Sequence, residues 1–176
     1  MMELLYLSYD GMLEPLGQSQ VVSYVEGLAH LHRITLVSYE KAKDLQEGGT
    51  LAGMDARLQS RGVHWIRLRY HKRPSLLATG WDVLRGIVVG AAVCRARRIS
   101  VIHARGYVAS AIGLCLKRFF QAKFVFDMRG FWADEKVDAG HWRPGSAVYR
   151  LAKRWERRFF KGEDGPGAVA LSRRAA

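Results

Sequence analysis

The side chains able to do chemistry fall into three short runs. His103 and Arg105 stand in His103-Ala-Arg-Gly-Tyr107, directly after an apolar stretch. A histidine at the end of a strand, opening into a crevice, can act as acid, base or hydrogen-bond donor. It can equally be a capping residue beside a solvated arginine. The second run, Phe126-Asp-Met-Arg-Gly-Phe-Trp-Ala-Asp-Glu135, interleaves Asp127, Arg129, Asp134 and Glu135 with Phe131 and Trp132. An aromatic ring packs on the apolar face of a sugar and an arginine forks to phosphate, so this mixture suits a sugar or pyrophosphate site. Its structural alternative is an aromatic anchor for a loop edged by ion pairs. The third run, Tyr9 to Gln20, carries Gly11, Pro15 and Gly17. With Gly17 ahead of a helix and Gln18 or Ser19 near the cap, backbone N–H groups and the helix dipole would face an anion. The run is neither G-x-G-x-x-G nor a P-loop, so dinucleotide binding by this turn is not expected.

Alternating elements must position these runs. Glu3–Ser8, Arg33–Tyr39, Val63–Tyr70, Ser100–His103, Lys123–Asp127 and Ala168–Leu171 read as strands. Gln18–Leu31, Leu76–Arg98, Val108–Phe120 and Pro144–Lys161 read as helices, as does most of Lys41–Arg61, with a break at Gly48-Gly49. Val21, Val22, Val25, Leu28 and Ala29 share one helical face. Strands alternating with helices of this length predict a doubly wound parallel sheet, and the right-handed crossover rule favours the order 3-2-1-4-5-6. Ligands of such sheets bind beyond the carboxyl ends of the strands, where the order reverses. The loops after the first, fourth and fifth strands, and hence Gly17, His103, Arg105 and Arg129, are expected at one rim.

The chain of 176 residues fits one domain, and 28 Lys+Arg against 16 Asp+Glu give a net charge of +12. That excess favours anionic partners: a phosphorylated substrate, an anionic membrane surface or nucleic acid. Nucleic acid is not expected, because no recognisable module orders the basic residues among stacking aromatics. On the helix near the C-terminus, Val148, Leu151, Ala152, Trp155 and Phe159 form an apolar stripe. Arg150, Lys153, Arg154, Arg157, Arg158 and Lys161 form the other face, which suits either solvent or lipid headgroups. Arg67-Leu-Arg-Tyr-His-Lys-Arg73 is a second basic cluster with the same two readings. Cys94 and Cys115 lie in apolar stretches without metal-ligand spacing and read as reduced core residues of a cytoplasmic protein. No signal peptide is visible. The apolar stretch Leu76–Cys94 is interrupted by Asp82 and Arg85 and reads as a buried helix rather than a membrane span.

Four segments together resemble one family. Asp10–Gln20, His103-Ala-Arg105, Phe126–Glu135 and Tyr149-Arg-Leu-Ala-Lys-Arg-Trp-Glu156 are similar, in order and separation, to the N-terminal domain of family-four retaining glycosyltransferases. The resemblance covers nearly the whole chain, and Asp-Met-Arg-Gly-Phe-Trp-Ala-Asp is its most specific part. It implies a GT-B enzyme, in which two Rossmann-like domains face a cleft. Residues 1–176 would form the N-terminal, acceptor-side half, with the C-terminal donor-binding domain absent. It further implies that Gly17 approaches the donor diphosphate and that His103, Arg105 and Arg129 face the reaction centre. Leu16 stands where many relatives have the first of two glycines. Catalysis would need neither metal nor cofactor, because basic groups and a helix N-terminus stabilise the departing diphosphate. The expected function is transfer from a nucleotide-sugar to a glycan or lipid-linked acceptor, with little activity from this half alone. His103 and Arg129 are the expected catalytic residues, and Gly17, Gln18, Arg105, Asp127 and Trp132 the expected acceptor- and diphosphate-binding ones. The alternatives are a non-catalytic α/β module docking an anionic membrane or a separate catalytic subunit, and another Rossmann-like nucleotide-binding protein. The expected location is cytoplasmic, peripheral at the inner face of the membrane.

Overall fold

A computed structural model of the chain describes residues 1–72, 75–128 and 130–162. Five strands form one parallel sheet: β1 Glu3–Ser8, β2 Arg33–Glu40, β3 Val63–Arg69, β4 Val101–Arg105 and β5 Lys123–Asp127. Their order is β3-β2-β1-β4-β5, so the direction of winding reverses between β1 and β4. The expected sixth strand, Ala168–Leu171, lies outside the described residues. β1 and β2 are buried along almost their whole length, as strands covered on both faces must be.

Period-two alternation divides the core. Leu5, Leu7, Val37, Tyr39, Ile102, Phe124 and Phe126 point to one face. There they meet α4 (Ser75–Arg97), α5 (Gly106–Phe119) and α7 (Ala147–Gly162). Val93, Ile112, Leu116 and Phe159 supply the helical side of that contact. Leu4, Tyr6, Ile34, Leu36 and Trp65 point to the other face, against Val21, Val22, Val25, Met54 and Leu58. Full burial of one such side chain contributes about 1.5–3 kcal/mol.

Helix boundaries correct the sequence reading at several places. The first helical run starts at Pro15, three residues early: α1 (Pro15–Gly17), a π-helical stretch Gln18–Val22 and α2 (Ser23–Ala29) follow without interruption. Pro15 sits at the first helical position, where its missing N–H costs nothing. Gly17 is therefore inside the first turn rather than before it. Gly48-Gly49 opens α3 (Gly48–Ser60) instead of breaking a longer helix. β4 runs on through Arg105, so His103 is within the strand. A short helix, α6 (Trp132–Asp138), occupies what reads as loop, with Asp134 and Glu135 in its first turn, where the dipole favours anions.

Two helices, one apolar and one amphipathic, bury other faces than their sequences indicate. α4 is long and apolar enough to cross a membrane, yet a third of its Leu77–Arg97 stretch is buried in this fold, against the sheet and α5. It is not buried all round, because Leu77, Trp81, Leu84 and Val88 are exposed. In α7 the buried residues are Ala152, Glu156 and Phe159. Val148, Leu151 and Trp155, three of the five residues of the apolar stripe, are exposed. The rotation is possible because Glu156 is satisfied within the fold: Lys153 Nζ lies 2.6 Å from it and the Tyr107 hydroxyl donates to it at 2.5 Å. Both cysteines are free thiols, and burial pushes the Cys94 thiol up to about 11.

Candidate functional site

Strand register assembles a polar cluster at the carboxyl ends of β1, β4 and β5. Tyr6 pairs with His103, Ser8 with Arg105 and Arg105 with Asp127. Tyr6 belongs to the sheet face packed by α2, so its neighbours in the same pleat rows reach that side too. The His103 ring lies against Tyr6 at 4.5 Å and meets Tyr24 edge-on at 5.5 Å. Asp127 accepts from Arg105 Nη1 at 2.9 Å and from the Tyr6 hydroxyl at 3.3 Å. The other guanidinium end, Nη2, donates to Gln20 Oε1. One arginine thus ties β5 to the helical run that contains Gly17 and Gln18.

Two atoms of this cluster are buried without a hydrogen-bond partner among the described residues, His103 Nε2 and Arg105 Nε. His103 Nε2 stands 3.7 Å from Asp127 Oδ2, too far for a hydrogen bond but close enough for Coulombic attraction whenever the ring is protonated. An unmet buried ring nitrogen is costly in a resting fold, by about 1–3 kcal/mol. It is the kind of group that a bound ligand satisfies. Burial alone would raise the Asp127 carboxyl, but His103 and the Arg105 guanidinium outweigh it and hold it below its ordinary range. The Tyr6 hydroxyl moves the other way, raised by burial and by the Asp127 charge.

The first loop is built by close approach. A Cβ on Gly17 would fall on the carbonyl of Gly11, 2.9 Å from its carbon and nearer its oxygen. Gln18 Nε2 donates to Leu13 O at 3.2 Å, so this side chain closes the loop. Glu40, wholly buried at the end of β2, accepts from the amides of Met12 at 2.9 Å and Leu13 at 3.4 Å. Ser38 Oγ donates to it at 2.6 Å and receives Trp65 Nε1 at 2.8 Å. Burial pushes the Glu40 carboxyl up, against the pull of these donors.

The structure brings His103, Arg105 and Asp127 together, with Gly17 and Gln18 on the adjoining run. Arg129 lies outside the described residues. Trp132 belongs to a second set of contacts, with Tyr107 at 5.5 Å and Trp142 at 4.9 Å. Asp134 accepts from Tyr149 at 2.8 Å and Lys153 at 3.0 Å, which is the loop-ordering role. Sequence reasoning missed Tyr6, Gln20, Tyr24 and Glu40. Only Glu40 carried a signal, as an acid directly after the strand-like stretch Arg33–Tyr39.

A doubly wound parallel sheet with a polar cluster at its reversal point defines a Rossmann-like α/β domain. A family model for the glycosyl transferase 4-like domain matches residues 17–175, and the chain belongs to that family. No curated protein matches it in sequence. Among solved structures, Anabaena HepE in complex with UDP and glucose is similar over 90% of this chain and 36% of its own, at 14% identity and TM-score 0.53. A transferase from Siraitia grosvenorii in complex with UDP matches 92% of this chain and 39% of its own, at 10% identity and TM-score 0.50. A putative UDP-N-acetylglucosamine 2-epimerase from Listeria monocytogenes matches 88% and 37%, at 14% identity and TM-score 0.52. At these identities the likeness is one of fold. The chain spans less than two-fifths of the length of each.

Proposed function

We propose that this chain is the acceptor-side half of a retaining glycosyltransferase, moving a sugar from a nucleotide-sugar to a glycan or lipid-linked acceptor. The observation that carries the reading is the Nε2 of His103, buried without a hydrogen bond where the winding of the sheet reverses. An acceptor hydroxyl placed there would satisfy the ring nitrogen, and His103 would orient it or take its proton. Arg105 and Asp127 hold the geometry. Arg129, the amides around Gly17 and Gln18, and Trp132 are assigned to the diphosphate and sugar from the sequence resemblance. No metal or cofactor is invoked, since positive groups can stabilise the leaving diphosphate. The donor is bound only with a second domain, so this half alone is inactive.

The test joins the chain to a donor-binding domain, covalently or as a mixed pair. His103→Gln is expected to lower turnover at least ten-fold, about 1.4 kcal/mol in the barrier, with circular dichroism unchanged. Normal turnover by the folded variant removes His103 from the chemistry. Measurable transfer from UDP- or GDP-sugars by the isolated chain, or micromolar binding of either that is tighter than its binding of inorganic pyrophosphate, overturns the half-enzyme reading.

A second reading is favoured by one observation, the exposed Val148, Leu151 and Trp155 beside the arginines of α7. On that reading the domain docks peripherally on an anionic bilayer at the cytoplasmic face. The two readings are compatible, because a lipid-linked acceptor lies at such a surface.

A further inference from the structure

We propose that a second site, the cavity between the carboxyl ends of β2 and β3, binds a phosphate or diphosphate group. Its assignment to the acceptor rests on the acceptor-half reading above. β2 and β3 end side by side, with Glu40 in register with Arg69 and the Tyr70 amide donating to Glu40 O at 2.9 Å. Beyond that point both chains turn out basic. Lys41, Lys43, Arg69, His71 and Lys72 line a cavity of about 520 Å3. This is within the range of about 300–1,000 Å3 typical of small-molecule sites.

The cations of this cavity are not balanced. Glu14 pairs with Lys41 at 2.9 Å and Asp44 lies 3.8 Å from Lys43. Arg69 and Lys72 are exposed and make no ion pair among the described residues. Two uncompensated cations lining one concavity attract a multiply charged anion more strongly than a single carboxylate. The planar fork of Arg69 and the point charge of Lys72 suit phosphate oxygens.

The cavity wall is also held open by a buried anchor. Asp82, fully buried on α4, accepts from His71 Nδ1 at 2.6 Å, from the His71 amide at 3.0 Å and from the Tyr9 hydroxyl at 2.9 Å. The Tyr39 hydroxyl donates to the Asp82 carbonyl at 2.6 Å. Both carboxylate oxygens are thereby occupied, so Asp82 fixes the loop after β3 without neutralising Arg69 or Lys72. Nε2 is left as the remaining polar atom of the His71 ring. The backbone that carries Lys72 is therefore fixed before an anion arrives, which lowers the ordering cost of binding. The lining between the cations is Ala42 and Tyr70. The apolar side chains that a bilayer would bury lie on α4 and α7 instead, which favours a single phosphorylated group over a lipid surface here.

Isothermal titration of the chain with inorganic pyrophosphate at low salt tests the site. Saturable one-to-one binding is expected, weakened at least ten-fold in Arg69→Gln/Lys72→Gln and several-fold in His71→Ala. Arg154→Gln/Arg157→Gln on α7 should leave it unchanged. Circular dichroism confirms that the variants fold, as substitutions of the exposed Arg69, Lys72, Arg154 and Arg157 should; His71→Ala, which takes a donor from buried Asp82, counts only where its spectrum matches the parent's. Absence of saturable binding overturns the proposal, and so does an equal loss from the α7 pair, which reduces the effect to net charge. A parallel arm measures co-sedimentation with phosphatidylglycerol vesicles. Loss of vesicle binding in Arg69→Gln/Lys72→Gln, with no pyrophosphate binding by the parent, assigns the cations to a bilayer and also overturns it. Pyrophosphate binding needs no donor domain, so it stands even where the joined enzyme shows no dependence on His103. Pyrophosphate binding lost with transfer intact in Arg69→Gln/Lys72→Gln keeps the enzyme reading and refutes the acceptor assignment.

Discussion

The backbone of Gly17 abuts the carbonyl of Gly11 so closely that a Cβ at residue 17 would displace it. Neither backbone can yield cheaply, because Glu40 holds the loop amides of Met12 and Leu13. Gly17→Ala is therefore expected to cost about 1–3 kcal/mol or more, as overpacking does. Gly27 in α2 provides the contrast, since a Cβ there meets nothing within 4 Å. Gly27→Ala should stabilise by about 0.4–1 kcal/mol. Urea unfolding of both variants measures the difference. Equal and small effects would mean that the close approach carries no weight.

Glu40→Ala removes the acceptor for two loop amides and the Ser38 hydroxyl. A buried donor left unmet costs about 1–3 kcal/mol, so a total loss of about 2–4 kcal/mol is expected. Hydrogen exchange should speed up at the Met12 and Leu13 amides while the β1 amides keep their protection until global unfolding. Unchanged exchange at those two amides would show that other contacts hold the loop.

The sheet was legible because its evidence is redundant. Each strand has an apolar run, each crossover has helical length, and handedness leaves few orders; β1 and β5 begin and end where the sequence puts them. The polar interior was not legible. Glu40, Asp82 and Glu156 are all buried, and hydropathy places carboxylates outside. Asp82 reads as an interruption of an apolar stretch, whereas in the fold it collects Tyr9 and His71 from distant segments. Glu156 enters the core only because Lys153 and Tyr107 meet it, and this rotates α7 away from its hydrophobic stripe. α6 was missed because seven residues hold too few turns for periodicity to show. At the candidate site, the residue types were readable in His103, Arg105 and Asp127. Their union depends on register, which brings Tyr6 opposite His103.

Asp127 gives the fold a defined acid dependence. Its carboxyl lies below the ordinary range because His103 and Arg105 outweigh burial. In that window the unfolded chain binds more protons than the native one, so stability rises with pH. The contribution is complete above the unfolded value of about 3.9 and is lost as pH falls through the lower native value. Asp127→Asn should lose about 1.5–3 kcal/mol at neutral pH, the worth of a hydrogen bond to a charged group. The gap between parent and variant should close below about pH 4. Urea midpoints from pH 2.5 to 7 decide it, and a gap constant across that range would refute the coupling.

α7 makes the sharpest claim about the surface of the domain. Ala152, Glu156 and Phe159 face inward, which leaves Val148, Leu151 and Trp155 on the outside. Arg150, Arg154, Arg157 and Arg158 are exposed on the same helix, and the Arg158 guanidinium sits over the Trp155 ring at 5.4 Å. An apolar strip edged by arginines matches a helix lying in the headgroup layer, its rings in the acyl boundary and its cations on the phosphates. Each cation near an anionic surface contributes about 1 kcal/mol, screened by salt. Arg154→Glu/Arg157→Glu/Arg158→Glu should therefore abolish co-sedimentation with phosphatidylglycerol vesicles. Trp155→Ser should weaken it about three- to ten-fold, by removing part of the roughly 1.5–3 kcal/mol that a buried apolar side chain supplies. Binding to phosphatidylcholine vesicles should be weak throughout. The exposed stripe of α4 is the rival surface, and Trp81→Ser is its probe. If Trp81→Ser removes binding while the α7 variants retain it, the membrane face is α4. If the parent chain does not sediment with anionic vesicles at low salt, the arginines of α7 are a solvated face and the docking reading falls.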